Sequence, residues 1–131
     1  MAMSKLLIDE CLALDHMASQ RLWDEANIQW FHWGVHKTAQ KDHKDAIKRT
    51  EEPHAKRELE KELETHKNMA SVFHENGDRC LEHYHRKVRD EHGQHKADAE
   101  RDRLHGQMHK ATKAGETHDY TFFKDMGTAV K

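Results

Sequence analysis

Large apolar residues crowd the front of the chain. Residues 1–35 hold sixteen of them (Val, Ile, Leu, Met, Phe, Trp, Tyr, Cys), whereas the 78 residues from His36 to Lys113 hold twelve. Their spacing is helical throughout. Ser4 is placed to cap a first helix, and Leu7, Cys11, Leu14, Ala18 and Leu22 fall on one face of it. Trp23, Ala26, Trp30 and Trp33 form an adjacent stripe, and Leu12, Ile28 and Phe31 widen the apolar surface to most of the circumference. A helix of this kind is surrounded by protein. The pattern predicts it over residues 4–34, with Gly34 ending or kinking it and Thr38 capping the next segment.

A charged helical segment follows over residues 38–75. Thr50-Glu51-Glu52-Pro53 reads as a helix start inside it, with a hydroxyl cap, acidic first-turn residues and an early proline. Ala55, Leu59, Leu63, His66, Ala70 and Phe73 then trace a narrow seam of coiled-coil type between Lys and Glu. Asn76-Gly77-Asp78 has the chemistry of a break, which predicts a hairpin there and a third helix over residues 78–113. That helix opens with Cys80, Leu81, Tyr84 and Val88. Its later apolar positions, Ala97, Leu104, Met108 and Ala111, lie on another face, so a kink or change of partner is expected near Gly93. Residues 114–131 form a tail with Tyr120, Phe122 and Phe123, which dock either on a neighbouring surface or on this chain's own Trp-rich helix.

Composition sharpens the class. The 131 residues are 35% charged, with one Pro, six Gly and a mean hydropathy of −1.13. Helix formers dominate, so the expected fold is a single all-α domain over residues 1–131: a long helical hairpin or an elongated three- to four-helix bundle with a C-terminal tail. Buried apolar surface at about 25 cal/mol per Å² must offset the ordering entropy, and the middle of the chain supplies little of it. Other chains are therefore expected to complete the core. The candidate interface residues are Leu7, Cys11, Leu14, Trp23, Trp30, Phe31 and Trp33 on the first helix, Leu59, Leu63 and Phe73 on the seam, and Tyr120, Phe122 and Phe123 on the tail.

Charge and motifs narrow the function. The net charge of −2 argues against nucleic acid, and the nine Lys/Arg against six Asp/Glu in residues 79–113 read as a solvated face. No stretch approaches the roughly 18 apolar residues that span a bilayer, and no signal peptide is evident. Cys11 and Cys80 have no CxxC partner and fit buried thiols in a reducing compartment. The expected location is the cytoplasm, or an assembly made there. Gly-x-Ser-x-Gly and Gly-rich phosphate loops are absent.

Histidine is the outlier, at 14 residues; protonating all of them would carry the chain from −2 to +12. The pairs His32/His36, His92/His95 and His105/His109 have metal-ligand spacing on a helix, but they are no more frequent than random scattering gives. His66 lies on the seam one turn after Glu62, where a polar residue fixes helix register or binds metal. Phe31-His32-Trp33-Gly34-Val35, followed by His43 and then Glu58 and Glu62, resembles the ferroxidase pattern of Dps-type mini-ferritins. In that family a His-Trp precedes a second His and two carboxylates four residues apart. The resemblance covers about a quarter of the chain. Gly34 stands where the family has asparagine, and Pro53 interrupts what would be its second helix. It implies a spherical ferritin-like cage in which His32, His43, Glu58 and Glu62 bind iron between two subunits.

The leading reading is a non-enzymatic helical structural protein, without a cofactor, that associates with other protein chains as a homo-oligomer or within a larger, virion-like complex. One alternative is a His-rich bundle binding iron or zinc through His32, His43, Glu58, Glu62 and His66, with ferroxidase-like activity. Another is a pH-responsive protein-binding module.

Overall fold

The computed structural model of the chain describes residues 14–130. It is all-α, with three long helices packed together and a short fourth. A 3-10 turn at Leu14–His16 leads through extended Ala18 into α1 (Ser19–Arg49). Helix α2 (Pro53–His92) runs back along α1, α3 (Gln94–Glu116) returns against both, and α4 (Phe122–Asp125) lies in the tail. At 1.5 Å per residue the long helices measure about 46, 60 and 35 Å. Leu7, Cys11 and the Ser4 cap lie outside the described residues. The single helix expected over 4–34 is not observed where it can be checked, because the 3-10 turn precedes the first long helix.

The start of α2 matches its sequence signals with one change of actor. Glu52 caps it, one carboxylate oxygen accepting from the His54 N–H (2.9 Å) and the other from the Ala55 N–H (2.6 Å), with Pro53 in the first turn. Thr50 does not cap α2; its hydroxyl donates back to the Ala46 carbonyl (2.7 Å) and finishes α1.

Two glycine signals mean something other than punctuation. Helix α1 passes through Gly34, because the backbones of α1 and α3 touch there. A Cβ on Gly34 would overlap the Thr112 carbonyl oxygen, and one on Gly115 would overlap the carbonyl oxygen of Phe31. Nor does Asn76-Gly77-Asp78 break the chain. Helix α2 continues through it, with Asn76 buried and its amide donating to Gln29 Oε1 (3.5 Å), while the Trp30 indole lies on Gly77 where a side chain would be. The turn is at Gly93, whose φ of +91° suits only glycine well. The expected kink at that position is thus a helix end, and the hairpin joins α2 to α3 there. Arg101–Glu82 (2.5 Å) and His85–Asp98 (2.9 Å) fix its register.

The core is a slab of Leu22, Trp23, Ala26 and Trp30 from α1, Cys80, Leu81, Tyr84 and Val88 from α2, and Ala97, Leu104 and Met108 from α3. The Cys80 thiol is free and buried. Leu14 (5% exposed), Trp23 (0%), Trp30 (3%) and Phe31 (0%) are sealed within one chain, which corrects their assignment as contacts to neighbouring chains. Counting only large side chains misled that expectation. Alanine and glycine at the crossings let the helices approach closely, so few large residues fill the space between them.

The tail closes this body. After Glu116 the chain reverses through His118, a non-glycine residue at φ +55°. Tyr120 and Phe123 lean on Phe31 with ring centroids 5.1 and 4.8 Å away, and Phe122 packs edge-on to Phe123. Further on, Arg103 donates to the Thr128 carbonyl (2.6 Å), Gln20 accepts from the Ala129 N–H (2.9 Å), and the Tyr84 hydroxyl accepts from the Val130 N–H (3.2 Å). The tail aromatics therefore dock on their own chain, although Tyr120 stays 60% exposed.

Candidate functional site

Helices α1 and α2 outrun α3. The end of α3 is pinned to α1 by the Thr38 hydroxyl donating to the Glu116 carbonyl (2.8 Å) and by Lys37–Glu116 (3.4 Å). Beyond this point the two helices form an arm closed by the turn at residues 50–52. No residue from Lys37 to Met69 is buried, in contrast to the sealed body below. Ala46, Ile47, Ala55, Leu59, Leu63 and Met69 are all half-buried, each covered on one side only. Where α3 stops, an open recess of about 610 Å³ is lined by Lys37, Thr38, Lys41, Asp42, Asp45, Glu116 and Thr117.

Histidines mark the base of the arm. His36 Nδ1 and His66 Nδ1 are 2.8 Å apart across α1 and α2. One nitrogen must donate and the other accept, so the contact exists only while at least one ring is neutral. Burial, then the neighbouring His66 and His32, hold His36 below its ordinary value. The rings of His32 and His36 both stack on Phe73, with centroids 5.1 and 5.4 Å away. Burial likewise lowers His32, partly offset by Glu25.

His43 behaves oppositely. Its Nδ1 faces the Ala39 carbonyl and its Nε2 faces Glu62 Oε2, each at 2.8 Å. Two acceptors call for two N–H groups, so the imidazolium fits best. The Ala39 hydrogen bond, then that of Glu62, accordingly raise its pKa.

A second histidine group surrounds the indoles. Trp30 donates to the His74 carbonyl (3.1 Å) and stacks on the His74 ring, while His105 and His109 meet Trp30 edge-on. Trp33 is half-buried beside His74, with the Lys37 ammonium 4.6 Å above its ring. Burial lowers His109, helped by His105 and Lys113.

The residues named for metal binding do not meet as one set. His43 and Glu62 pair with each other, His66 pairs with His36, His32 stacks on Phe73, and Glu58 pairs with Lys61 at 3.4 Å. Among the described residues no group of three or more His, Cys, Asp or Glu could hold a metal ion. Within one copy the four residues of the mini-ferritin resemblance do not come together as a single ligand set. His36 entered the sequence reading only through its four-residue step from His32, a spacing no more frequent than chance, and its contact with His66 on the other helix was not anticipated.

Polar chemistry in the body serves structure. The Tyr84 hydroxyl donates to Glu100 Oε2 (3.2 Å), and burial pushes its pKa up to about 12. Burial would raise Glu100 too, but hydrogen bonds and charge from Arg103 outweigh it and hold the carboxylate below its usual range. Arg103 also covers the Trp23 ring at 4.3 Å. Among the described residues no helix is long and apolar enough to cross a membrane. No protein-family model, no curated protein and no solved structure matches this chain.

Proposed function

We propose that this chain is a non-enzymatic structural protein that works inside a larger protein assembly, the three-helix body serving as a closed head and the arm as the assembling element. One observation carries the reading: the body is sealed by its own residues, whereas the arm from Lys37 to Met69 buries none. A two-helix hairpin has only one face per helix to cover, and half-covered Ile47, Leu59 and Leu63 gain by further association. The engagement of Tyr84, Glu100 and Arg103 in tying α2, α3 and the tail together supports a structural role for these polar groups.

The test is sedimentation velocity of the full chain over a concentration series reaching about 200 μM. A heavier species that grows with concentration is expected. A single monomer boundary at every concentration would overturn the reading.

A second reading, a pH-responsive binding module, is favoured by the His36–His66 contact, which joins the two helices where the arm leaves the body. Its sign is that the arm loosens as both rings take up protons.

A further inference from the structure

We infer that the arm docks on the arm of a second copy of this chain, α1 of one arm lying against α2 of the other; this names the partner within the assembly reading and rests on it. The charge along the arm is divided between its helices. Residues 37–49 on α1 carry five Lys/Arg against two Asp, and residues 51–67 carry six Glu against four Lys/Arg. One helix is basic and its companion acidic, so a twofold-related pair brings each strip against its complement, and does so twice.

The charges that matter are unengaged within one copy. Among the described residues Lys41, Lys44 and Lys48 on α1 have no carboxylate within 4 Å, and Glu60 and Glu64 on α2 have no cation. In the body, by comparison, Arg101 pairs with Glu82 and Arg103 with Glu100 within one copy. Half-buried Ile47, Leu59 and Leu63 provide the apolar line that a second hairpin would complete into a four-helix arrangement.

A second copy fits better than a polyanion or an acidic partner. Residues 37–69 hold nine Lys/Arg and eight Asp/Glu, so the arm as a whole is nearly neutral, yet each copy carries both halves of the match. The available area is small. A face about 25 Å long and 20 Å wide offers roughly 500 Å², below the ~800 Å² per partner of a standard interface. The contact is therefore a weak one, made through exposed charges that salt screens.

Two charge-reversed proteins test this by sedimentation equilibrium of the full chain: Lys44→Glu with Lys48→Glu, and Glu60→Lys with Glu64→Lys. Each alone should associate at least about tenfold more weakly than the parent chain, because like strips then face each other. An equimolar mixture should recover a heterodimer of parental strength or better. Circular dichroism checks that each protein keeps its helix; if one does not, the neutral pair Lys44→Gln with Lys48→Gln replaces it and should also weaken association. Should either reversed protein associate as the parent does, or the mixture stay monomeric, arm pairing is wrong while the assembly reading stands. A parent chain that stays monomeric throughout defeats both.

Discussion

At the residue scale, glycine is the most informative side chain here because its absence of bulk is used in different ways. Gly34 and Gly115 face carbonyl oxygens across the α1–α3 crossing, Gly77 receives the Trp30 indole, and Gly106 has open space around it. A methyl group should therefore have opposite effects at different positions. Gly34→Ala or Gly115→Ala forces two helix backbones apart and should destabilise the chain by about 2 kcal/mol or more. Gly106→Ala meets nothing within 4 Å and should stabilise by about 0.5–1 kcal/mol through helix propensity alone. Urea unfolding of the three variants measures both signs. Equal effects at Gly34 and Gly106 would contradict the close crossing. This distinction was not legible in the sequence, which reads Gly34 and Gly77 as helix ends and places Gly115 in a tail, because nothing in it marks which backbone or ring lies opposite.

At the element scale, the contact between α1 and α2 depends on proton count in two opposing ways. His32 and His36 have folded-state values below 6.5, so on acidification the unfolded chain takes up protons first. Their contribution is present above 6.5 and is lost as pH falls through that value towards the folded ones. His43 is raised, so its contribution is complete below 6.5 and fades as pH rises through its folded value. Melting curves at about pH 8, 6.5 and 5.5 should show His36→Gln flattening the acid-side loss of stability, and His43→Gln costing more at the lower pH than at the upper. Identical pH slopes for parent and His36→Gln would remove the His36–His66 contact from the account. Much at this scale could be read in advance: the start of α2 at Pro53 through local capping chemistry, and a change of direction at Gly93 through the phase of the apolar stripe. The hairpin at 76–78 could not survive inspection, because Asn and Gly are both turn formers and packing residues. Only the position of Trp30 decides between those uses. The His36–His66 pair was hidden for a related reason: it joins residues 30 positions apart, whereas spacing arguments see one helix at a time.

At the scale of the whole molecule, a sealed body and an uncovered arm share two continuous helices. The unequal distribution of large hydrophobes did anticipate a poorly covered middle, but it located the weakness too broadly. From Ala70 onward α2 contributes to a core sealed within one chain, and among the described residues the arm is the longest stretch that buries none. The tail takes part in that completion. Removing residues 119–131 strips Tyr120 and Phe123 from Phe31 and takes away the Thr128 and Val130 bonds to Arg103 and Tyr84. The shortened chain should lose about 2–3 kcal/mol and show a red shift in tryptophan emission as water reaches Trp23. Unchanged emission together with an unchanged urea midpoint would reduce the tail to a passive appendage.

Cys80 sits in the middle of that body with no exposed surface, and burial, with a smaller push from Glu25, raises its thiol to about 12. At neutral pH the reactive thiolate is then roughly one molecule in 10⁵. Reagents and oxidants must wait for the helices to separate before they meet this sulfur. In a background carrying Cys11→Ser, the chain thus has its own clock: the pace at which label accumulates on that single atom counts how often the head comes apart.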